Sequence, residues 1–310
     1  MRAIAICVAA GLLLTGQQAY ATAISAVDVL QEYNLIVLGD ALVSTETEGP
    51  VYVGGNLTGS GPYGVNPDGL PNGSLGGTLV VGGDVNGQVR LFSGNAVVGG
   101  SINNPIFNNG GGTITQGASV DTAGVAAAFN TLSGALAQLT DTGGSITGGQ
   151  NAVFNSVAGP NGLAVFNVAD SFFDSISNLT FNTGDLTTIV NVSGTNIELG
   201  GGFNFNSGPF TSDVIFNFFE AETLVISTAF SASILAPLAE GEINGGRTEG
   251  SVVLGSLIQR VEVDGPLFNG PLPPPPTELP APGPLLLILA GLAGLIGFSR
   301  AADREQRQLP

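Results

Sequence analysis

Apolar and polar positions alternate along this chain in short bursts, and the bursts repeat. Three segments share one pattern: Val51-Tyr52-Val53-Gly54-Gly55-Asn56-Leu57, Leu79-Val80-Val81-Gly82-Gly83-Asp84-Val85 and Ala96-Val97-Val98-Gly99-Gly100-Ser101-Ile102. Each is a short β-branched strand, a Gly-Gly corner and a second short strand. The later two Gly-Gly pairs are 17 residues apart (82 to 99) and the first gap is 28 (54 to 82), the excess being assigned to a loop rich in Gly, Pro and Asn at 59–77. Short strands with glycine corners at a spacing near 20 predict the rungs of a β-solenoid. In such a coil each rung stacks on the last, inward apolar residues form ladders, and glycine supplies the positive φ expected at corners. A β-sandwich is the alternative, with longer strands and fewer Gly-Gly pairs.

One stretch departs from this pattern. Between Val120 and Thr140, apolar residues at Val125, Phe129, Leu132, Leu136 and Leu139 follow spacings of three and four. They predict an amphipathic helix of about five turns, capped by Asp121 or Thr122 and lying on the flank of a sheet. Strands resume at about 164–168, 188–192, 196–199, 224–227 and 252–258.

Both ends of the chain read as address labels. Residues 1–21 have a basic start, an apolar run from Ala3 to Leu14 and the small-x-small ending Ala19-Tyr20-Ala21, the pattern of a secretory signal peptide cut after Ala21. Residues 271–284 are a Pro-rich linker, 285–299 an apolar helix and 300–310 an Arg-containing cytoplasmic tail that starts at Arg300. Fifteen residues rise only about 22 Å as helix, short of a hydrocarbon core of roughly 30 Å. The segment is thus a marginal anchor, suited to transient membrane insertion. Residues 22–270 remain as one domain.

Composition narrows the chemistry. The chain has no His and no Trp, and its single Cys, Cys7, falls in the leader. The domain therefore has no imidazole base, thiol nucleophile or disulfide. Of 24 acidic residues, 21 fall in the domain, against Arg90, Arg247 and Arg260, and a surface of this sign repels nucleic acid. Asp170 with Asp174, and Glu220 with Glu222, are pairs of the type that glycoside cleavage uses, but acids scattered through an acidic chain make such pairs by chance. Glu262 with Asp264, or the stretch Glu240–Glu249, offers oxygen ligands for calcium without the ordered series of an EF-hand. No other cofactor and no catalytic residue is indicated. Threonines occur singly, at Thr58, Thr78, Thr113 and Thr115, without the sustained array that an ice-binding face needs.

The tripeptide Pro280-Ala281-Pro282, the apolar helix and the arginines, in that order, resemble a PEP-CTERM sorting signal, although the usual central Glu is missing. That resemblance implies a Gram-negative host and an exosortase-like enzyme that cuts near the motif. Delivery would be from an inner-membrane intermediate to the cell surface or exopolysaccharide matrix. Tyr33-Asn34-Leu35-Ile36-Val37-Leu38-Gly39-Asp40, the Val-Gly-Gly repeats, the helix after Val120, Ile234-Leu235-Ala236-Pro237 and Glu249-Gly250-Ser251-Val252 resemble the choice-of-anchor A family over about residues 27–268. The resemblance implies an ice-binding-like right-handed parallel β-helix with one accompanying helix and an adhesive role. The expectation is an exported, non-catalytic structural or adhesin-like protein that meets exopolysaccharide or another cell surface; ice binding is the alternative, and a polysaccharide-active enzyme stands behind both.

Replacing residues 279–284 with Gly and Ser is expected to keep the protein in the membrane fraction; release unchanged by the replacement, read by cell fractionation, would show that the motif is not what is cut.

Overall fold

The computed structural model describes residues 24–65, 72–159, 161–200 and 212–273. The leader, the sorting motif, the apolar helix at 285–299 and the arginine tail lie outside the described residues, and with them Ala19, Ala21, Pro280, Ala281, Pro282 and Arg300.

The described chain is mainly β, with parallel sheets and few helices. Its longest face holds ten strands: β1 (Leu35–Val37), β2 (Val51–Val53), β3 (Leu79–Val81), β4 (Ala96–Val98), β5 (Ile114–Gln116), β6 (Ala164–Ala169), β7 (Thr188–Ser193), β8 (Val214–Asn217), β9 (Ser233–Gly245) and β10 (Val252–Gln259). In space they run β5-β4-β3-β2-β1-β10-β9-β8-β7-β6, every neighbour parallel. The antiparallel sandwich is thereby set aside; antiparallel pairing is confined, among the described residues, to Ser145–Thr147 with Asn151–Asn155.

The strand order also corrects the expectation that each rung stacks on the last. From β1 the chain builds tiers outward to β5. It then passes along α2 (Thr122–Ala137), which packs on β7, β8 and β9, and so reaches the opposite end of the stack. From β6 it builds back toward the middle, where β10 closes against β1 with Leu35 opposite Val252 and Val37 opposite Leu254. Stacking is sequential within each half and not between them, because α2 buries its apolar stripe on strands that follow it in the chain.

The three repeats lie side by side as β2, β3 and β4, with Val51, Leu79 and Ala96 in register. The inserted loop is shorter than 59–77, since Leu57–Gly59 and Gly61–Tyr63 are strands of the β2 tier. Four residues (92–95) separate Val89–Leu91 from β4, whereas fifteen (64–78) separate Gly61–Tyr63 from β3, which accounts for the longer gap.

The Gly-Gly corners are glycine for a different reason from the one the sequence suggests. None of Gly54, Gly55, Gly82, Gly83, Gly99 and Gly100 has a positive φ. A Cβ on Gly83 would instead lie 2.6 Å from Asn56 Oδ1 and 2.7 Å from Gly55 O, and one on Gly100 would lie 2.7 Å from the Gly83 carbonyl carbon. The tiers touch at this corner, backbone against backbone. Gly39 N–H donates to Gly255 O (2.7 Å), Gly55 N–H to Gly39 O (2.8 Å), Gly83 N–H to Gly55 O (2.8 Å) and Gly100 N–H to Gly83 O (2.9 Å). The residue after each corner joins the same ladder: Asp40 Oδ1 accepts from Asn56 N (2.6 Å), Asn56 Oδ1 from Asp84 N (2.9 Å) and Asp84 Oδ1 from Ser101 N (2.7 Å). Short side chains with an acceptor oxygen fill this position because each must satisfy the N–H of the next tier.

Two cores result. Inward residues of every tier, such as Leu35, Val51, Leu79, Phe216 and Val252, fill the interior. The outward residues of the long face, Ile36, Tyr52, Val80, Val165, Ile189, Ile215, Leu235 and Val253, are covered by α1 (Ala26–Glu32) and by Val125, Phe129, Leu132 and Leu136 of α2. Burial of each such side chain contributes about 1.5–3 kcal/mol. Asp121 caps α2 by accepting from Gly124 N (2.9 Å). A buried polar ladder fixes the helix on the sheet: Ser133 Oγ donates to Asn217 Oδ1 (2.6 Å), Asn217 Nδ2 to Asn191 Oδ1 (2.9 Å), and Asn191 Nδ2 to Leu136 O (2.9 Å).

Gly83→Ala is expected to lower stability by about 1–3 kcal/mol by forcing two tiers apart. Gly134→Ala, at a helix position with nothing within 4 Å of the new Cβ, is expected to raise it by up to about 1 kcal/mol. Denaturant unfolding reads both, and equal effects would mean that the corner is not close-packed.

Candidate binding face

The second face of the stack is built from Asn196–Leu199, Thr223–Ser227, the C-terminal halves of β9 and β10, Ala41–Val43 and Leu57–Gly59, again in parallel register. Along each strand every second residue points inward, which buries Ile197, Leu224, Ile243, Leu257, Ala41 and Leu57. The residues between them form a column at one tier per step: Glu198, Val225, Glu242, Ile258, Leu42, Thr58. Leu42 is 45 % exposed and Ile258 36 %, although both occupy strand interiors. A parallel column, Asn196, Thr223, Glu240, Ser256, runs beside them.

Except for Asn196 and Glu198, these side chains line, together with Asp40, Asn56 and Asn86, a shallow groove of about 660 Å³. Val225, Ile258 and Leu42 share it with Glu240 and Glu242. Arg260 Nε reaches Glu242 Oε1 at 3.2 Å, but both side chains are solvated and the pair contributes little. One oxygen of Asp40 is engaged by Asn56 N (2.6 Å) and Asn56 Nδ2 (3.2 Å). The groove therefore combines an apolar contact strip with hydrogen-bond acceptors, and suits broad contact more than proton transfer.

The third face is formed by Gly61–Tyr63, Val89–Leu91 and Ile106–Asn108 in one half and by Phe230–Ser231, Thr248–Glu249 and Val263–Asp264 in the other. Thr47 bridges Tyr63 and Val263 to join them. Arg247 lies between Asp264 (Nε to Oδ2, 2.6 Å) and Glu249 (Nη2 to Oε1, 2.9 Å). The two stretches read as calcium ligands are thus divided: Glu240 and Glu242 face the groove, whereas Glu249 and Asp264 hold an arginine on another face. Among the described residues no group of three or more acidic side chains is placed to hold a metal ion.

A family model described as "Putative Ice-binding-like adhesive domain" matches residues 26–265. The chain belongs to this ice-binding-like adhesive family. Two solved structures resemble this member of the family. The ice-binding protein of the Antarctic ascomycete Antarctomyces psychrotrophicus is 11 % identical, with 81 % of this chain and 100 % of that one covered and a TM-score of 0.33. An ice-binding protein from an Antarctic biological consortium is 14 % identical, with 83 % and 95 % covered and a TM-score of 0.31. No curated protein matches the chain.

The other candidates of the sequence are dispersed over the adhesive domain. Thr58 points into the groove, Thr78 is buried, and Thr113 and Thr115 lie at the β5 end, so the four do not form one array. Asp170 and Asp174 lie in the 3-10 turn Asp170–Ser175, where Asp170 accepts from Ser171 N (2.7 Å). Glu220 accepts from Gly194 N (2.9 Å), a structural contact between loops. Sequence reasoning missed the apolar strip itself. Leu42, Val225 and Ile258 lie 33 to 216 residues apart in the chain, and only strand register brings them to one column.

Burial pushes the Asp264 carboxyl up to about 6; Arg247 opposes the rise and Glu48, Glu262 and Glu46 add to it. The attraction of Arg247 falls short because its side chain is 58 % exposed while that of Asp264 is 8 % exposed. A carboxyl that holds its proton more firmly folded than unfolded contributes most below its unfolded value near 3.8, and that contribution is lost as pH climbs to about 6. The melting temperature is expected to fall between pH 4 and 6, and to fall less in Asp264→Asn; parallel curves for the two proteins would locate the proton elsewhere.

Proposed function

We propose that the chain is an exported, non-catalytic surface adhesin, a right-handed parallel β-helix that makes contact through its second face. The observation that carries this reading is the column Val225, Glu242, Ile258, Leu42, in which three apolar side chains and one carboxylate stand in register on a face that no helix among the described residues covers. An apolar strip flanked by hydrogen-bond acceptors fits many weak contacts with a broad surface, such as an exopolysaccharide or the envelope of another cell. The choice-of-anchor A and PEP-CTERM resemblances support delivery by a signal peptide and an exosortase-like cut.

Ice binding is the second reading, favoured by the family's description. Against it, Glu198, Glu242 and Glu240 interrupt both columns, where an ice-ordering face needs a regular uncharged array. A polysaccharide-active enzyme would need opposed carboxylates, and the groove acids are instead engaged by Asn56 or Arg260, or stand alone as Glu240 does.

The exported protein carrying Leu42→Glu and Ile258→Glu is expected to lose most of its attachment to exopolysaccharide-coated surfaces while its melting temperature stays unchanged. The unmodified protein is expected to show no thermal hysteresis. Undiminished attachment of the variant would move the contact to another face, and hysteresis abolished by the same substitutions would establish ice as the ligand.

A further inference from the structure

The second face carries its acids in a period that no single stretch of the sequence shows. Counted tier by tier from the β6 side, Glu198 stands on the first, Glu240 and Glu242 on the third, Asp40 on the fifth and Asp84 on the seventh. The outward positions between them hold Thr223, Ser256, Asn56 and Ser101, while Glu222 lies at the corner before the second-tier strand Thr223–Ser227. Neighbouring tiers are about 4.8 Å apart, so carboxylates recur at about 9.6 Å along the stack.

The fold accounts for only part of this series. Asp40 Oδ1 and Asp84 Oδ1 each accept an N–H of the next tier, from Asn56 (2.6 Å) and Ser101 (2.7 Å). The side chains of Glu198 and Glu240 bond to nothing among the described residues, and Glu242 meets only the solvated Arg260 (3.2 Å). The other arginines of the domain, Arg90 and Arg247, lie on the third face. Among the acid-bearing tiers stand the apolar side chains, Val225 on the second, Ile258 on the fourth and Leu42 on the fifth.

We infer that the second face takes a linear amino-sugar polysaccharide with free ammonium groups, laid along the stack. The inference rests on the adhesive reading of this face and adds the charge of its ligand. A polyanion is repelled by a chain of net charge −17, and a neutral polymer gains nothing from the period of the acids. A single metal ion does not fit either, because among the described residues no three acidic side chains converge on one point. A chain with ammonium groups spaced along it meets carboxylates on alternate tiers and lays the apolar faces of its rings on Val225, Ile258 and Leu42. Each exposed pair contributes little alone. Repetition along one polymer converts weak pairs into firm attachment, and the field of the whole domain steers the polycation to it.

Binding of the full chain to immobilised chitosan, a deacetylated amino-sugar polymer, is measured at about pH 5.5, where surface carboxylates are ionised and the sugar amines are protonated. The same polymer after complete N-acetylation, which removes the charge and keeps the rings, is the comparison. The chain is expected to bind chitosan, less as salt is raised, and to bind the acetylated polymer at least about tenfold more weakly. Glu240→Gln with Glu242→Gln is expected to weaken binding to chitosan about tenfold. Glu46→Gln with Glu262→Gln, the same change of charge made on the third face, is expected to leave it unchanged, and cooperative melting checks the fold of each variant. Equal binding to the acetylated polymer overturns the inference. So does an equal loss in the two double variants, since attraction would then belong to the charge of the whole domain. In either case Leu42→Glu with Ile258→Glu separates the two readings: attachment to exopolysaccharide-coated surfaces that this pair abolishes keeps the face and rejects only the ammonium ligand, whereas attachment that survives it rejects the face as well.

Discussion

The seam between β1 and β10 is the contact on which the rest of the stack depends. There the first strand of the chain meets one that follows it by more than 200 residues, through Val252 N to Asn34 O (2.8 Å), Leu38 N to Leu254 O (2.9 Å) and Gly39 N to Gly255 O (2.7 Å). Asn34 is buried at the same seam, and its Nδ2 donates to Gly250 O and Asp264 O at 3.2 Å each. Each half is a sequential coil, but neither has a complete core until the seam closes. Because the closing contact is so distant in sequence, its loop entropy is met last, and the fold carries the slow-folding topology of non-local parallel pairing.

Register at this seam cannot be set by polarity. In most sheets a slip of one residue turns an apolar side chain to water. Here both sides of the long face are buried, Leu35 into the coil and Ile36 under the helices, so a slipped strand would still bury apolar groups. The glycine corner and its polar ladder supply the missing discrimination. A tier displaced by one residue would drive a Cβ into the backbone of its neighbour and leave Asp40, Asn56 and Asp84 without the N–H groups they accept from. These bonds lie at the solvent-facing corner, so loss of each costs about 0.5–1.5 kcal/mol.

This arrangement explains what the sequence disclosed. The Val-Gly-Gly repeats and the helix after Val120 were legible because close tier contact demands glycine and helix burial demands the three-four spacing. Most strands of the second half were legible individually, from Ala164–Ala169 to Val252–Gln259, but they do not recur in the strand, Gly-Gly, strand pattern of the first half, and no repeat was visible. The helix Ala26–Glu32 was too short for a periodic signal. The 13-residue β9 contains Pro237 and a register shift between Ala236 and Glu240, and so did not read as one strand. The return of the chain through α2 to the opposite end, and the column Val225, Glu242, Ile258, Leu42 that this order creates, are properties of register and have no local trace in the sequence.

The distribution of charge along the stack bears on how a chain with a single cysteine stays folded. Self-repulsion among 24 acids and 7 arginines opposes compaction, and it is tolerable only where water screens it. Among the described residues the acids accordingly lie on loops, helix surfaces and outward strand positions, and the one drawn inside, Asp264, is met by Arg247. Residues 142–169, which plug the β6 end with Phe154 and Phe166, carry no charge at all. A carboxylate in place of Phe154 or Phe166 would face the aromatic core rather than solvent, at a cost of several kcal/mol. At the buried positions of that segment neutrality is therefore a packing requirement, whereas along Ser145–Thr147, where all three residues are exposed, packing demands nothing of the kind.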